Sequence, residues 1–128
     1  MNKRLNPATM PPPASRYSQV VEVPGGSRLV ALSGQVGMRP DGTAPKDFEG
    51  QAHQVFENIM AGLAAVGMGP ADIVRINSYV TRAGDVGKLR GIRDEHMQGH
   101  ECASTLVIVA GLASPDWLVE IEVIAAQG

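Results

Sequence analysis

The chain has 128 residues, the length of one domain that buries a hydrophobic core without disulfides or metals. Its 11 basic and 13 acidic residues give a formal net charge of −2, so it lacks the basic excess that binds phosphates, and nucleic acid is not an expected partner. The longest apolar run, Leu106 to Ala113, has eight residues, well short of the roughly 20 that cross a bilayer, so no membrane segment is expected.

The N-terminal segment differs from the rest of the chain. Residues 1–16 are rich in Pro, Ala and Arg and have no hydrophobic period, which predicts an irregular arm before a single domain at residues 17–128. The arm leads into three prolines rather than an apolar stretch, so it does not resemble a secretory signal. Cys102 is the only cysteine, which excludes an intrachain disulfide and suits a reducing compartment. A cytoplasmic protein is therefore predicted.

The first predicted elements are two strands, at residues 18–23 and 28–35. The Pro24-Gly25-Gly26-Ser27 segment between them has the composition of a tight turn, which predicts a hairpin. After a loop at residues 37–45 the period changes to 3.6. Apolar side chains recur from Phe48 to Val66, which predicts a helix that ends with Gly67 as its C-cap.

The second half of the chain repeats this alternation of strand and helix. A strand at residues 73–81 precedes a helix that begins near Asp85, its N-cap candidate, and ends at Gly99. Strands at residues 105–110 and 117–125 follow. The order β-β-α-β-α-β-β predicts an α+β domain whose sheet is mostly antiparallel and has both helices on one face.

One face of this sheet has no helix to cover it. The segment Leu106–Val109 is apolar on both faces, so the second face also needs a partner. A symmetric oligomer of this chain is the economical way to cover it.

The last strand carries two glutamates on one face. Alternation at period two places Val119, Ile121 and Val123 on one face and Glu120 and Glu122 on the other. The simpler interpretation is that both carboxylates are solvated on the outer face of a one-sided sheet. The alternative is that they line a polar site.

Six short segments in a fixed order favour the alternative: Tyr17-Ser18-Gln19, Ser33-Gly34-Gln35, Glu57-Asn58-Ile59, Asp72-Ile73-Val74, Leu112 and Val119-Glu120-Ile121-Glu122. The chain thereby resembles the Rid family, also called YjgF-type or L-PSP endoribonuclease-like proteins. The resemblance covers nearly the whole chain and depends on the ordered set rather than on any one motif. It implies a chorismate-mutase-like fold and a homotrimer with ligand clefts between subunits.

The resemblance also implies a chemistry. The best characterised Rid proteins hydrolyse reactive enamines and imines, such as 2-aminoacrylate, to a 2-keto acid and ammonia. Glu120 then acts as the base or orients the attacking water. Tyr17, Ser33 and Gly34 line the ligand site. Self-association and a small imine or enamine are the partners that the resemblance implies.

The chain departs from the family at the residue that binds the substrate carboxylate. Family members carry an arginine there, just before the fourth strand, whereas the position here falls on Ser104, or on Ala103 with a different gap. A hydroxyl does not replace a bidentate guanidinium, so a divergent member is predicted, whose substrate is not a plain 2-imino acid. Arg75, on the polar face of its strand, is the candidate replacement, although a solvated or intersubunit-paired arginine explains it equally. Arg90 stands nearest to a family asparagine and is a weaker candidate, together with Arg16 and Arg28.

Other chemistries are less favoured. A metal set of His96, His100 and Cys102 is disfavoured because Gly99 ends the helix between the histidines. A lone cysteine beside a strand is more often a small buried hydrophobe than a nucleophile. No cofactor is expected, since the Gly34–Gly37 segment lacks the lysine of a phosphate loop. Whether the chain is an enzyme stays open: the alternative is a non-catalytic metabolite-binding or chaperone-like trimer, and an endoribonuclease is less favoured.

Overall fold

A computed structural model describes residues 1–128 and contains six strands and two α-helices. In chain order they are β1 (Lys3–Leu5), β2 (Val20–Glu22), β3 (Arg28–Gln35), α1 (Phe48–Ala64), β4 (Ile73–Val80), α2 (Val86–Met97), β5 (Ala103–Ile108) and β6 (Val119–Gln127).

The central layer is a four-stranded sheet in the order β3-β6-β4-β5. Strand β6 is antiparallel to both of its neighbours, and β4 is parallel to β5. The core lies between one face of this sheet and the two helices. It comprises 18 buried residues, among them Phe48, Phe56, Ile59, Ile76 and Ile121. The α+β class, the mostly antiparallel sheet and the placement of both helices on one face are confirmed.

The predicted hairpin between residues 18–23 and 28–35 does not form. Strand β2 pairs with β1 in a separate two-stranded sheet, and β3 pairs with β6 instead. The turn itself is present, because Ser27 donates its backbone N–H to the Pro24 carbonyl. Pairing with β6 packs the β3 side chains of Val30 and Leu32 against the core, which a hairpin with the short β2 would not achieve.

The N-terminal arm predicted to be irregular contains a strand and is attached to the domain. Strand β1 pairs residue by residue with β2, from Lys3 opposite Glu22 to Leu5 opposite Val20. The Arg4 guanidinium donates to the carbonyls of Ala71 and Glu101. Three residues are too few to show a hydrophobic period, so the sequence pattern could not reveal this strand.

The helix ends lie close to the positions that the sequence predicts. Asp47 caps α1 by accepting the Gly50 N–H, and Gly67 follows the helix with a φ of +74°. Gln98 and Gly99, with φ of +54° and +82°, end α2. Asp85 precedes α2 but makes no cap hydrogen bond. Its buried carboxylate pairs instead with Arg82 at 2.7 Å, so the predicted N-cap position is confirmed but is occupied without a capping side-chain bond.

No helix in this structure combines the length and the apolar composition needed to cross a membrane.

Candidate functional site

The face of the sheet opposite the helices carries a polar cluster on β4 and β6. Tyr79 lies opposite Glu120 in the register, and Asn77 lies opposite Glu122. The Glu122 carboxylate accepts hydrogen bonds from the Tyr79 hydroxyl at 2.7 Å and from the Asn77 amide at 3.1 Å. These bonds hold the pKa of Glu122 below its usual value and raise the pKa of Tyr79. Glu122 is therefore an engaged, ionised group.

Glu120 has a different environment from its neighbour. It makes no hydrogen bond and no ion pair, although it is half-buried. Its carboxylate lies directly over the backbone of Gly34 on β3, and a Cβ atom at that position would overlap Oε2. Gly34 is the residue type that leaves room for this carboxylate, and the exposed Ser33 is its neighbour. A carboxylate without a hydrogen-bond partner can accept a proton from a bound water.

The other predicted residues line a pocket elsewhere. Tyr17 and Ser104 share a small cavity of about 140 Å³ with Arg90, Arg93 and Leu106. This cavity lies between α2 and the β5 edge of the sheet. Ser104 pairs in the register with Ile76, whose side chain is buried beneath the helices. The cavity therefore belongs to the helix-covered face.

Within one chain, the Glu120 carboxylate and the cavity lined by Tyr17 and Ser104 do not lie together. Glu120 shares its face with Tyr79, whereas Ser104 shares the opposite face with Ile76. Strand β4 separates β6 from β5, so their axes lie roughly 10 Å apart at normal strand spacing. A ligand that contacts both Glu120 and Ser104 needs the two from different chains.

Arg75 is not placed beside Glu120. It lies on the same open face, but its partner across the ladder is Ile124, four residues along β6 from Glu120. The guanidinium donates to the Thr105 hydroxyl at 2.7 Å. Four residues of strand correspond to about 13 Å, so Arg75 lies away from the Glu120 carboxylate.

The histidines and the cysteine considered as metal ligands also separate. His96 contacts His53 of α1 at 2.9 Å between ring nitrogens and stacks on Phe56. His100 is exposed beyond the end of α2. Cys102 is buried, and this burial raises its pKa to about 11. A thiol with that pKa is protonated at neutral pH and is a poor nucleophile.

The histidine pair predicts a pH dependence of stability. Burial, together with repulsion from His53, lowers the pKa of His96 below its unfolded value of 6.5. The unfolded chain therefore binds the proton more tightly, and stability is lost as pH falls below that value. We expect the urea midpoint to drop between about pH 7.5 and about pH 5.5. His96→Gln should reduce this pH slope while His100→Gln retains it, and equal slopes in wild type and His96→Gln would contradict the assignment.

Two structural features near the site were not predicted from the sequence. Gln51, only 1% exposed, bridges three backbone groups that fix the loop before α1 and the entry to β6. Its position within the apolar stripe of α1 was an available signal, because a polar residue there must be satisfied by hydrogen bonds. A larger cavity of about 610 Å³, lined by Met38, Lys46 and Trp117 among others, adjoins the same loops.

Comparison with known proteins identifies the family. The family model described as Endoribonuclease L-PSP matches residues 8–127. A solved structure from Yersinia pestis, of the Rid-family protein YyfB of unknown function, superposes with a TM-score of 0.90 at 30% identity over 98% of both chains. The chain belongs to the Rid family. The family resemblance read from the sequence is thus confirmed.

Relatives of this Rid chain include proteins named for imine chemistry. A RutC family protein of Aquifex aeolicus is 31% identical over 91% of this chain and 93% of that protein. A 2-iminobutanoate/2-iminopropanoate deaminase of Dermatophagoides farinae is 33% identical over 88% and 86%, respectively. The match to the deaminase extends over most of both proteins.

Proposed function

We propose that this Rid protein hydrolyses an imine or enamine and releases ammonia, with Glu120 handling the water. The observation that carries the proposal is the contrast between the two glutamates of β6. Glu122 is engaged by Tyr79 and Asn77, whereas the Glu120 carboxylate has no partner and faces the Gly34 backbone. The deaminase name of a 33% identical relative supports the same reaction class.

The proposed reaction is addition of water to a carbon–nitrogen double bond. Glu120 accepts one water proton while the oxygen bonds to the imine carbon, and the proton then moves to the nitrogen. The resulting carbinolamine expels ammonia as the carbonyl forms. Ser33, next to Gly34 in the chain, is proposed to hydrogen-bond the water or the nitrogen. The reaction needs no oxidant or reductant, because one imine and one water give one carbonyl compound and one ammonia.

The site is proposed to lie between subunits of a homotrimer. The polar cluster on β4 and β6 that contains Glu120 and the cavity lined by Tyr17 and Ser104 lie on opposite faces of the sheet. They can form one cleft only if the cluster of one subunit faces the cavity of another. The open edges and face also expose apolar side chains, including Leu29, which is 70% exposed. On the same face the buried Asn77 Oδ1 has no hydrogen-bond partner, which a neighbouring subunit would supply.

The trimer makes a direct prediction about mass. Light scattering after size exclusion should give about three times the 13.5 kDa chain mass. Oligomers of this kind bury apolar surface that a monomer leaves in water, so the measured mass should stay the same when the protein is moderately diluted. A strictly monomeric mass would contradict the intersubunit cleft.

The functional proposal is tested by imine turnover. Imino acids made in situ by an amino-acid oxidase are followed by the keto acid or ammonia, and a cyclic imine supplied directly is followed by its ring-opened amino-carbonyl product. Acceleration over the spontaneous rate is expected for at least one of them. The absence of acceleration for both would instead favour a non-catalytic metabolite-binding role, which the loss of the family arginine at Ser104 also fits.

A further inference from the structure

The cavity between α2 and β5 has the electrostatic character of an anion site. Arg90 and Arg93 line it from the helix, and Tyr17 and Ser104 contribute hydroxyl groups. No acidic residue lines this cavity, although the chain as a whole is acidic. Two guanidinium groups and two hydroxyls around a volume of about 140 Å³ provide hydrogen-bond donors for a small negatively charged group.

The two arginines are not equivalent. Arg93 is 7% exposed, and its guanidinium donates to the Asp94 carboxylate at 3.0 and 3.1 Å. Its charge is therefore largely balanced within the chain. Arg90 lies one helical turn earlier on the same side of α2 and is exposed, with neither a hydrogen bond nor an ion pair. It is the uncompensated cation of the cavity.

The hydroxyl groups also have unused donor capacity. The Tyr17 hydroxyl accepts the Ala14 backbone N–H at 3.2 Å, which leaves its own proton free to donate. Ser104 makes no side-chain hydrogen bond although it is half-buried. Arg75, the replacement cation expected from the sequence, lies on the other face of the sheet and about 13 Å along the strand from Glu120, so it is not placed at this cavity in the same chain or beside Glu120 of another.

We propose that Arg90 binds a small carboxylate in this cavity, assisted by Tyr17 and Ser104. A single uncompensated guanidinium matches a monoanion, and its planar fork matches the two oxygens of a carboxylate. This inference rests on the proposed function and extends it. The imine substrate carries a carboxylate, which is bound by an arginine of helix α2 rather than by one of strand β5. It replaces the expectation that loss of the strand arginine excludes imino acids.

Direct binding of pyruvate, a stable 2-keto carboxylate, tests the site without any turnover. Calorimetry or chemical-shift titration should detect pyruvate with wild-type protein, and Arg90→Gln should weaken it by about 10- to 100-fold, as expected for a lost charged hydrogen bond. Lys3→Gln removes an exposed charge outside the cavity and should leave the affinity unchanged. Equal pyruvate affinity in wild type and Arg90→Gln, or no pyruvate binding at all, would overturn the proposal.

Inorganic phosphate distinguishes the ligand class. A site with one uncompensated cation pairs one negative charge, and the second charge of a phosphate dianion would lose water without gaining a partner, so phosphate should compete weakly with pyruvate. Phosphate binding tighter than pyruvate would overturn the assignment to carboxylates. Arg90→Lys keeps the charge without the fork and should recover only part of the affinity, which a mere loss of folding would not explain.

Turnover separates failure of this inference from failure of the proposed function. Arg90→Gln should lower kcat/KM for an imino acid relative to that for a cyclic imine without a carboxylate by about 10- to 100-fold, mainly through KM. An unchanged ratio with intact turnover would overturn the role of Arg90 and leave the hydrolase standing. If pyruvate binding depends on Arg90 but no imine is turned over, the carboxylate site stands and the proposed hydrolase activity is overturned.

Discussion

Glu120→Gln is expected to lower imine turnover by about 10²- to 10⁴-fold, the usual contribution of a general base. The amide keeps the size of the side chain over Gly34 but cannot accept the water proton. Since Glu120 makes no hydrogen bond in the folded chain, the substitution should leave the urea midpoint close to that of wild type. The assay compares imino acids generated in situ with a cyclic imine, each against its spontaneous hydrolysis.

The matched control is Glu22→Gln, which removes an exposed carboxylate of β2 that forms no ion pair. Its turnover should equal that of wild type. Wild-type turnover in Glu120→Gln would contradict the proposed base, whatever the substrate. A loss of turnover accompanied by a large fall in the urea midpoint would show a structural role for the carboxylate instead.

Gln51→Leu is expected to cost roughly 2–4 kcal/mol of folding free energy. The Gln51 amide donates to the carbonyls of Pro45 and Asp116, each at 3.0 Å, and its oxygen accepts the Leu118 N–H at 2.9 Å. Leucine fills a similar volume but leaves these three backbone groups without their partner. Leu118 lies two residues before Glu120, so the variant should also disturb the position of that carboxylate.

Urea unfolding at a fixed chain concentration measures this cost, since an oligomer's stability depends on concentration. Gln54→Leu is the control: Gln54 lies on the same helix, but its amide only bonds the Asn58 side chain. We expect a change within about 1 kcal/mol there. Comparable midpoints for the two variants would contradict the role of Gln51 as the link between the two loops.

The local elements could be predicted because their signals are local. Turn residues before Arg28 and hydrophobic alternation up to Gln35 predicted β3 with the bounds that the structure has. The apolar stripe and Gly67 predicted α1 and its end. Helix α2 likewise ends before Gly99, where the backbone turns left-handed.

Strand partners could not be predicted in the same way, because pairing joins residues that are distant in sequence. The choice of β6 rather than β2 as partner of β3 depends on which pairing buries Val30 and Leu32. Strict alternation along this strand predicts that Ile73 shares the polar face with Arg75, Asn77 and Tyr79. A register shift between Ile73 and Arg75 instead buries Ile73. Alternation along one strand contains no information about either effect.

Part of the geometry of the candidate site could be predicted from the sequence. Residue order pointed to Glu120, Ser33 and Gly34, and the structure brings Glu120 and Gly34 into contact. The separation of Tyr17 and Ser104 onto the other face required the sheet topology. The juxtaposition of Arg90 with Ser104 required the packing of α2 on β5, which no local pattern records.

Mixed oligomers test the central claim, a cleft built from two chains, most directly. Glu120→Gln and Tyr17→Ala chains are co-expressed in equal amounts with different tags, and the mixed species are purified and assayed for imine turnover. If Glu120 of one chain works with the Tyr17 cavity of the next, one of the three sites in every mixed trimer is intact, and activity should recover to about a third of the wild-type value per trimer. No recovery above the two parent variants would contradict the intersubunit site.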